Sequence, residues 1–305
     1  MKYQGEKNYK HGSKEKLGVL ITNLGTPDRP NKKALKLYLK EFLSDPRVIE
    51  IPKIIWQSIL RGIILNIRPK KIAKLYKSIW MKKGGPLLVM LQKQKKGIEK
   101  DLRNKIKNIK IEIAMRYGNP SIEKGLKKLK NLGCRRILIF PLYPQYCAAT
   151  TGSTFDKVTE VLRKWRWVPE TRFINGYHDN ILYINCLIKS IRESWKKNGK
   201  SQKLIFSYHG VPKKYLLSGD PYYCFCQKTT RLVIEKMKLK KQEYITTFQS
   251  RFGPQEWLTP YTDKTLEELP QKNIKSVDFD NEFANRFDTV LRNRTVLHGH
   301  RASDH

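Results

Sequence analysis

The sequence predicts an α/β protein of two similar doubly wound domains with parallel sheets, and three observations predict it. Short apolar runs alternate with longer amphipathic ones along most of the 305 residues, the order expected of parallel strands joined by right-handed helical crossovers. Several of those runs are continuous, as in strands buried on both faces. Each ends on polar, aromatic or glycine residues, at the carboxyl end where open α/β sheets bind ligands.

In chain order, residues 17–24 (LGVLITNL) form a strand ending in Asn23, Gly25 and Pro27, and residues 31–43 follow as a helix. Segment 54–67 sets Ile55, Ile59, Ile63 and Ile67 on one face and reads as a helix despite its β-branched content. Residues 111–115 (IEIAM) are a second strand, with Arg116, Tyr117 and Gly118 at its end; Ser121 can cap the next helix and Gly133 stop it. Residues 136–142 (RILIFPL) are a third strand, ending in Tyr143, Pro144, Gln145 and Tyr146. A helix over 154–165 then leads to a strand at 172–175 that is expected to open the second domain. There, a helix over 180–197 ends at Gly199, and residues 203–209 (KLIFSYH) form the central strand, delivering His209 to its carboxyl end. Helix 229–237, strand 243–248 (EYITTF) ending in Gln249, Ser250 and Arg251, helix 264–269 and a strand from 274 complete the pattern. The expected organisation is a polar N-terminal extension over 1–16, domains over 17–165 and 166–277, and a tail over 278–305. That tail has no Lys and no Ile in a chain otherwise rich in both. No glycine-rich dinucleotide fingerprint or phosphate-cradling loop is present.

The formal charge of +35 raises a nucleic-acid reading. The lysines, however, are scattered over nearly every helix, which favours a solvated surface, and no nucleic-acid partner is expected. Five cysteines without framework spacing fit reduced thiols in a cytoplasmic protein. The N-terminus lacks the apolar core of a signal peptide, and segment 54–67 is too short to span a bilayer, which leaves peripheral membrane contact open.

The strand ends are therefore the functional inventory. An imidazole such as that of His209 can be a metal ligand, a proton acceptor near neutral pH, or a structural hydrogen-bonding group. Aromatic rings with a few cations and one histidine suit a large, flat, partly apolar anion, for which a porphyrin with propionate tails qualifies.

The stretches LITNLGTPD, YLKEFLSDPRVIE, AKLYKSIW, MRYGNPS, FPLYPQY with TTGS shortly after, SYHGVP, and TFQSRFG followed by WLTPYTD resemble the ferrochelatase family, in the family's order, over about residues 17–277. The resemblance implies two Rossmann-like domains of the chelatase-like fold with a porphyrin cleft between them. It implies insertion of ferrous iron into protoporphyrin IX to form protohaem in haem biosynthesis, with no cofactor beyond the substrate iron. The family's metal-binding, proton-removing histidine falls on His209. Residues near the macrocycle fall on Asn23, Arg116, Tyr117 and Tyr146, with Arg116 and Tyr117 deep on the face opposite the histidine. The pocket lip falls on residues 51–89, so the apolar face of segment 54–67 would cover the macrocycle or touch membrane. Arg61, Arg68 or Lys71 would pair with propionates, each being about as readily a plain solvated residue.

Three departures accompany these matches. After Val277 the family's glutamate-bearing segment, of the form FxADxxETLEE, is absent, and Glu282 does not stand in for it. The expectation is marginal stability and low or no activity, the alternative function being a non-catalytic porphyrin or haem binder. Gly85 stands where the family usually has a serine. Cys224 and Cys226 fall where some members place a cysteine of an iron–sulfur cluster, but without partners in the tail two free thiols are expected. His298 and His300 are expected to be solvated.

Overall fold

The computed structural model describes residues 3–6, 9–281 and 295–296. The chain divides into two compact units, Met1–Gly176 and Tyr177–His305.

In the first unit four parallel strands, β1 (Lys16–Thr26), β2 (Ile109–Gly118), β3 (Cys134–Pro141) and β4 (Glu170–Phe173), lie in the order β2-β1-β3-β4. The helices are α1 (Lys32–Leu43), α2 (Lys53–Ile59), α3 (Leu65–Ile79), α4 (Pro86–Leu102), α5 (Ile122–Asn131) and α6 (Ser153–Leu162). The central strand is buried on both faces because its alternate residues serve two cores. Leu20 packs with Leu126 and Leu129 of α5 and Val158 and Val161 of α6, while Val19 and Ile21 pack with Leu91 of α4. The Asn31 side chain accepts from the Ala34 amide at 2.9 Å to cap α1, and Ser121 caps α5 through the Lys124 amide. Gly133, with φ +80°, carries the chain out of α5.

The second unit repeats the plan. Its strands β5 (Lys203–His209), β6 (Tyr244–Gln249), β7 (Ser276–Asn281) and β8 (Thr295–Val296) lie in the order β6-β5-β7-β8. β6 and β7 flank β5 in parallel, and β8 runs antiparallel to β7. The helices are α7 (Ile181–Asn198), α8 (Lys213–Leu217), α9 (Tyr222–Met237) and α10 (Thr262–Glu268). Ile205 and Val277 pack with Leu266 of α10, whereas Tyr208, from the alternate set, reaches Thr230 of α9 at 3.0 Å.

Four expectations are corrected. The strand expected to open the second domain is β4, and it pairs with β3 from Arg136↔Glu170 to Ile139↔Phe173. Helix α6 packs Val158 and Val161 on Ile137 and Ile139 of β3, so the crossover returns the chain beside β3 and the first unit runs to Gly176, not 165. The aberrant tail does not begin at 278: Asp278–Asp280 continue β7, and the Asp278 carboxylate accepts from Trp195 Nε1 at 2.8 Å and the Ser201 amide at 3.0 Å. Apart from Asn281 and β8, the rest of the tail lies outside the described residues, with Glu282, His298 and His300.

The N-terminal extension is docked. Glu6 forks onto Arg135 through two 2.7 Å bonds, Arg135 lies over the rings of Tyr9 and Trp167, and Lys130 donates to the carbonyls of Gln4 and Gly5. Arg135 holds the Glu6 carboxyl below the usual carboxylate range.

Finally, segment 54–67 is not one regular helix and its isoleucine face is not core. A π-helical turn over Leu60–Ile64 separates α2 from α3. Its extra residue sets the buried stripe to Trp56, Leu60, Leu65 and Pro69, of which Trp56, Leu60 and Leu65 pack with Tyr38 and Leu39 of α1. The Asn66 side-chain amide donates to the carbonyls of Arg61 and Gly62, which helps satisfy the loosened turn. Ile54, Ile55, Ile59, Ile63 and Ile67 are left facing solvent, Ile54 at 87% and Ile63 at 56% exposure. Among the described residues no helix is long and apolar enough to cross a membrane.

Candidate functional site

β5 ends on His209 because Leu204, Ile205 and Phe206 bury the strand and Gly210 turns it. Gly210 donates its amide to the Gln249 carbonyl at 2.7 Å, and a Cβ there would stand 3.0 Å from that oxygen and 3.3 Å from Trp257. The strand end is fixed further by Tyr222, whose hydroxyl donates to the His209 carbonyl at 3.0 Å. Hydroxyls of Ser207, Thr262 and Thr247, linked at 3.1 and 2.8 Å, tie α10 to β5 and β6.

The imidazole Nδ1 lies 2.7 Å from the Gly210 carbonyl. A carbonyl only accepts, so Nδ1 carries the proton and Nε2 is the basic nitrogen of the neutral ring. Burial lowers the pKa below the ordinary 6.5, opposed by the Gly210 carbonyl, which raises it. The unfolded chain thus takes up a proton at about pH 6.5 that the folded chain refuses, so this group's effect is to lower stability as pH falls below 6.5. By the same shift, the acidic limb of kcat/KM for any reaction that needs the neutral ring is expected below pH 6.5. A pH–rate profile measures it; a limb at or above 6.5 would contradict the geometry.

The strand ends of the first unit form a buried polar cluster. Arg116 and Tyr117 are the two residues before Gly118, the last of β2; the Arg116 side chain is 12% exposed and Tyr117 is fully buried. Both converge on Asp45, whose side chain is 3% exposed. Asp45 Oδ2 accepts from the Arg116 guanidinium, from the Tyr117 hydroxyl at 2.8 Å and from Ser153 Oγ at 2.6 Å. Oδ1 accepts from the Arg47 amide at 2.8 Å. Arg116 Nε in turn donates to Ser153 Oγ at 2.6 Å and to the Ser153 carbonyl at 2.9 Å. The Tyr117 phenol is pushed up first by burial, with Arg116 opposing and Asp45 adding. Arg47 pairs with Asp156 through contacts of 2.5 and 3.0 Å, a pair that holds the Arg47 guanidinium above its ordinary value.

Of the expected residues, Arg116 and Tyr117 are thus brought together. Asn23 faces Met115 in the β1–β2 register, and its Oδ1 accepts from the Leu24 amide at 2.7 Å. Tyr146 is half-buried beyond β3; a Cβ on Gly152 would lie 3.2 Å from both the Tyr146 hydroxyl and Arg47, so the two pass the same glycine. His209 belongs to the second unit. In the segment expected to form the lip, Arg61 and Lys71 are exposed and Arg68 is half-buried. A Cβ on Gly85 would stand 2.4 Å from Thr26 Oγ1, so a serine here would require Thr26 to move. Cys226 is buried and Cys224 exposed, both as free thiols in α9.

Asp45, Ser153, Arg47 and Asp156 were not singled out from sequence. A signal existed: Asp45 is one of only 27 acidic residues against 62 basic ones, and it falls within the SDPRV stretch that carries the family resemblance.

The ferrochelatase family model matches residues 16–280. The ferrochelatase of Thioalkalivibrio sulfidiphilus is 53% identical over 279 residues, covering 91% of this chain and 76% of that protein. The ferrochelatase of Idiomarina loihiensis is 52% identical over 278 residues, again covering 91% and 76%. Among solved structures, the sirohydrochlorin chelatase SirB from Bacillus subtilis subspecies spizizenii in complex with cobalt aligns with a TM-score of 0.48 at 12% identity, covering 91% of this chain and 78% of that one. A sequence match of this extent, running through both units, means that the chain belongs to the ferrochelatase family, the metal chelatases of haem biosynthesis.

Proposed function

We infer that this chain inserts ferrous iron into protoporphyrin IX to form protohaem, with iron as substrate and no resident cofactor or iron–sulfur cluster. The observation that carries the reading is the His209 imidazole at the end of the central strand, its Nδ1 held by the Gly210 carbonyl so that Nε2 is the basic nitrogen of the neutral ring. Metallation needs the macrocycle bent so that pyrrole N–H bonds point at a base, and a neutral imidazole can accept such a proton or guide ferrous iron. Arg116, Tyr117, Tyr146 and Asn23 are assigned to holding the macrocycle. A rigid wall complementary to the bent form lowers the barrier by binding it better than the flat form. The test is an anaerobic assay with protoporphyrin IX and ferrous iron, following porphyrin fluorescence and the haem absorption bands. Turnover supports the reading; porphyrin bound without metallation overturns it.

We assign the exposed face of Ile54, Ile55, Ile59, Ile63 and Ile67, flanked by Arg61, Lys70, Lys71 and Lys74, to peripheral contact with an anionic bilayer surface, on the cytoplasmic side. An apolar stripe beside basic side chains binds such surfaces through both terms. Sedimentation with vesicles containing anionic phospholipid is expected to capture the chain, and Ile63→Asp to weaken capture severalfold. Equal capture by purely zwitterionic vesicles, or by the variant, would contradict it.

A further inference from the structure

We propose that Asp45 is a positioning residue for iron insertion: it locks Arg116 and Tyr117 into a charge-compensated wall at the end of β2, and turnover depends on it through them. This rests on the reading of Arg116 and Tyr117 as residues that face the macrocycle.

The donor and acceptor assignments leave the cluster little freedom. Carboxylate oxygens only accept, so Asp45 draws hydroxyl protons from Tyr117 and Ser153, whose oxygens also lie 3.0 Å apart so that either can donate to the other. Ser153 Oγ then has lone pairs for Arg116 Nε, which also reaches the Ser153 carbonyl. The guanidinium is therefore held on two sides, by Asp45 at Nη2 and by Ser153 at Nε. It cannot turn without breaking charge-assisted bonds in a buried place, where such bonds are strongest.

Two chemical consequences follow. The positive charge of Arg116 is compensated inside the protein, so the wall offers the macrocycle shape rather than net charge, and propionate recognition has to come from other cations. The Tyr117 proton is held inside the cluster, on Asp45 or Ser153, so Tyr117 is not the group that exchanges protons with the pyrroles.

Asp45 is itself braced. The Arg47 amide donates to its Oδ1, and the Arg47 side chain crosses to Asp156 in α6. Two ion pairs, Asp45–Arg116 and Arg47–Asp156, thus tie the loop after α1 to β2 and to α6. A wall that must match a bent macrocycle needs this: a misplacement of about 1 Å in a reacting assembly can cost about a hundredfold in rate.

The experiment compares the full chain with Asp45→Asn, which keeps the shape and removes the charge, and with Ser153→Ala, which keeps the Asp45–Arg116 pair. Steady-state kinetics are paired with resonance Raman spectra of bound protoporphyrin IX without iron, whose out-of-plane bands report bending. Asp45→Asn is expected to lower kcat by about 10- to 100-fold, with KM for protoporphyrin changed less than about threefold, and to weaken the out-of-plane bands. Ser153→Ala is expected to give the same spectral change to a smaller degree and keeps the test open if Asp45→Asn does not fold. A purely structural Asp45 would lower thermal stability but leave kcat and the Raman bands of the folded fraction unchanged, which would overturn the proposal. If the unaltered chain fails to bind protoporphyrin at all, the reading of the site fails first, and that result is distinct from unchanged kcat in the variants.

Discussion

His209→Ala is expected to abolish iron insertion while leaving protoporphyrin bound. The imidazole is the only side chain at the end of β5 assigned to proton or metal transfer, and a positioned general base contributes about 10² to 10⁴ in rate. The fold is expected to survive, because β5 is held by groups other than that ring. Leu204, Ile205, Phe206 and Tyr208 are buried, the backbone pairs with β6 and β7, and Tyr222 bonds the carbonyl of residue 209 whichever side chain it carries. The Nδ1–H bond to Gly210, which the substitution removes, is worth on the order of 1 kcal/mol. The anaerobic metallation assay, run beside a fluorescence titration of protoporphyrin, separates the outcomes. Turnover within about tenfold of the unaltered chain, short of what a general base supplies, would remove His209 from the chemistry. Loss of porphyrin binding along with turnover would assign it to binding instead.

What could be read from sequence was whatever the chain writes locally. Continuous apolar runs marked β1, β3 and β5, Asn31 and Ser121 announced helix starts, and Gly133 and Gly199 announced ends, because each reports on its own neighbours in the chain. The assignment of site residues to strand ends rests on the same logic and on the family resemblance. What escaped was long-range. Asp45 meets Arg116 across 71 positions and Ser153 across 108, and no local period records such a meeting. The same holds for Glu6 with Arg135, which docks an extension that the sequence marks only as polar. Strand β4 was legible as a strand but not as a partner of β3, since pairing is decided by where α6 packs. In segment 54–67 the isoleucine period was real, yet the π-helical turn and the buried Trp56, Leu60 and Leu65 set which face turns inward.

Gly25→Ala is expected to damage stability and turnover together, through backbone rather than side chains. Gly25 has φ +131°, a conformation in which an L side chain is strained by about 1–3 kcal/mol. Space is the larger problem. Gly25 pairs with Tyr117 in the β1–β2 register, and a Cβ on it would stand 1.9 Å from the Tyr117 carbonyl oxygen and 2.8 Å from its carbon. Both are backbone atoms and cannot rotate away. Gly118 repeats the arrangement in reverse, with φ +84° and a Cβ position 2.6 Å from the Thr26 carbonyl, so the two strands approach this closely only because both residues are glycine. Alanine at 25 must push the end of β2 outward, and that end carries Arg116 and Tyr117. A total cost of about 3–5 kcal/mol, strain plus displacement, corresponds to a Tm lower by roughly 6–20 °C for a unit of this size. The control is Gly97→Ala in α4, where nothing lies within 4 Å of the new Cβ and helix propensity favours alanine by up to about 1 kcal/mol. Thermal melts of the two variants give the sign of each effect. Kinetics on the Gly25→Ala fraction that remains folded then decide whether the close crossing of β1 and β2 serves the fold alone. Normal kcat in that fraction would mean that the wall tolerates movement of the β2 end; a large drop would mean that the position of Arg116 and Tyr117 is set by a glycine pair at their backs as well as by Asp45 in front.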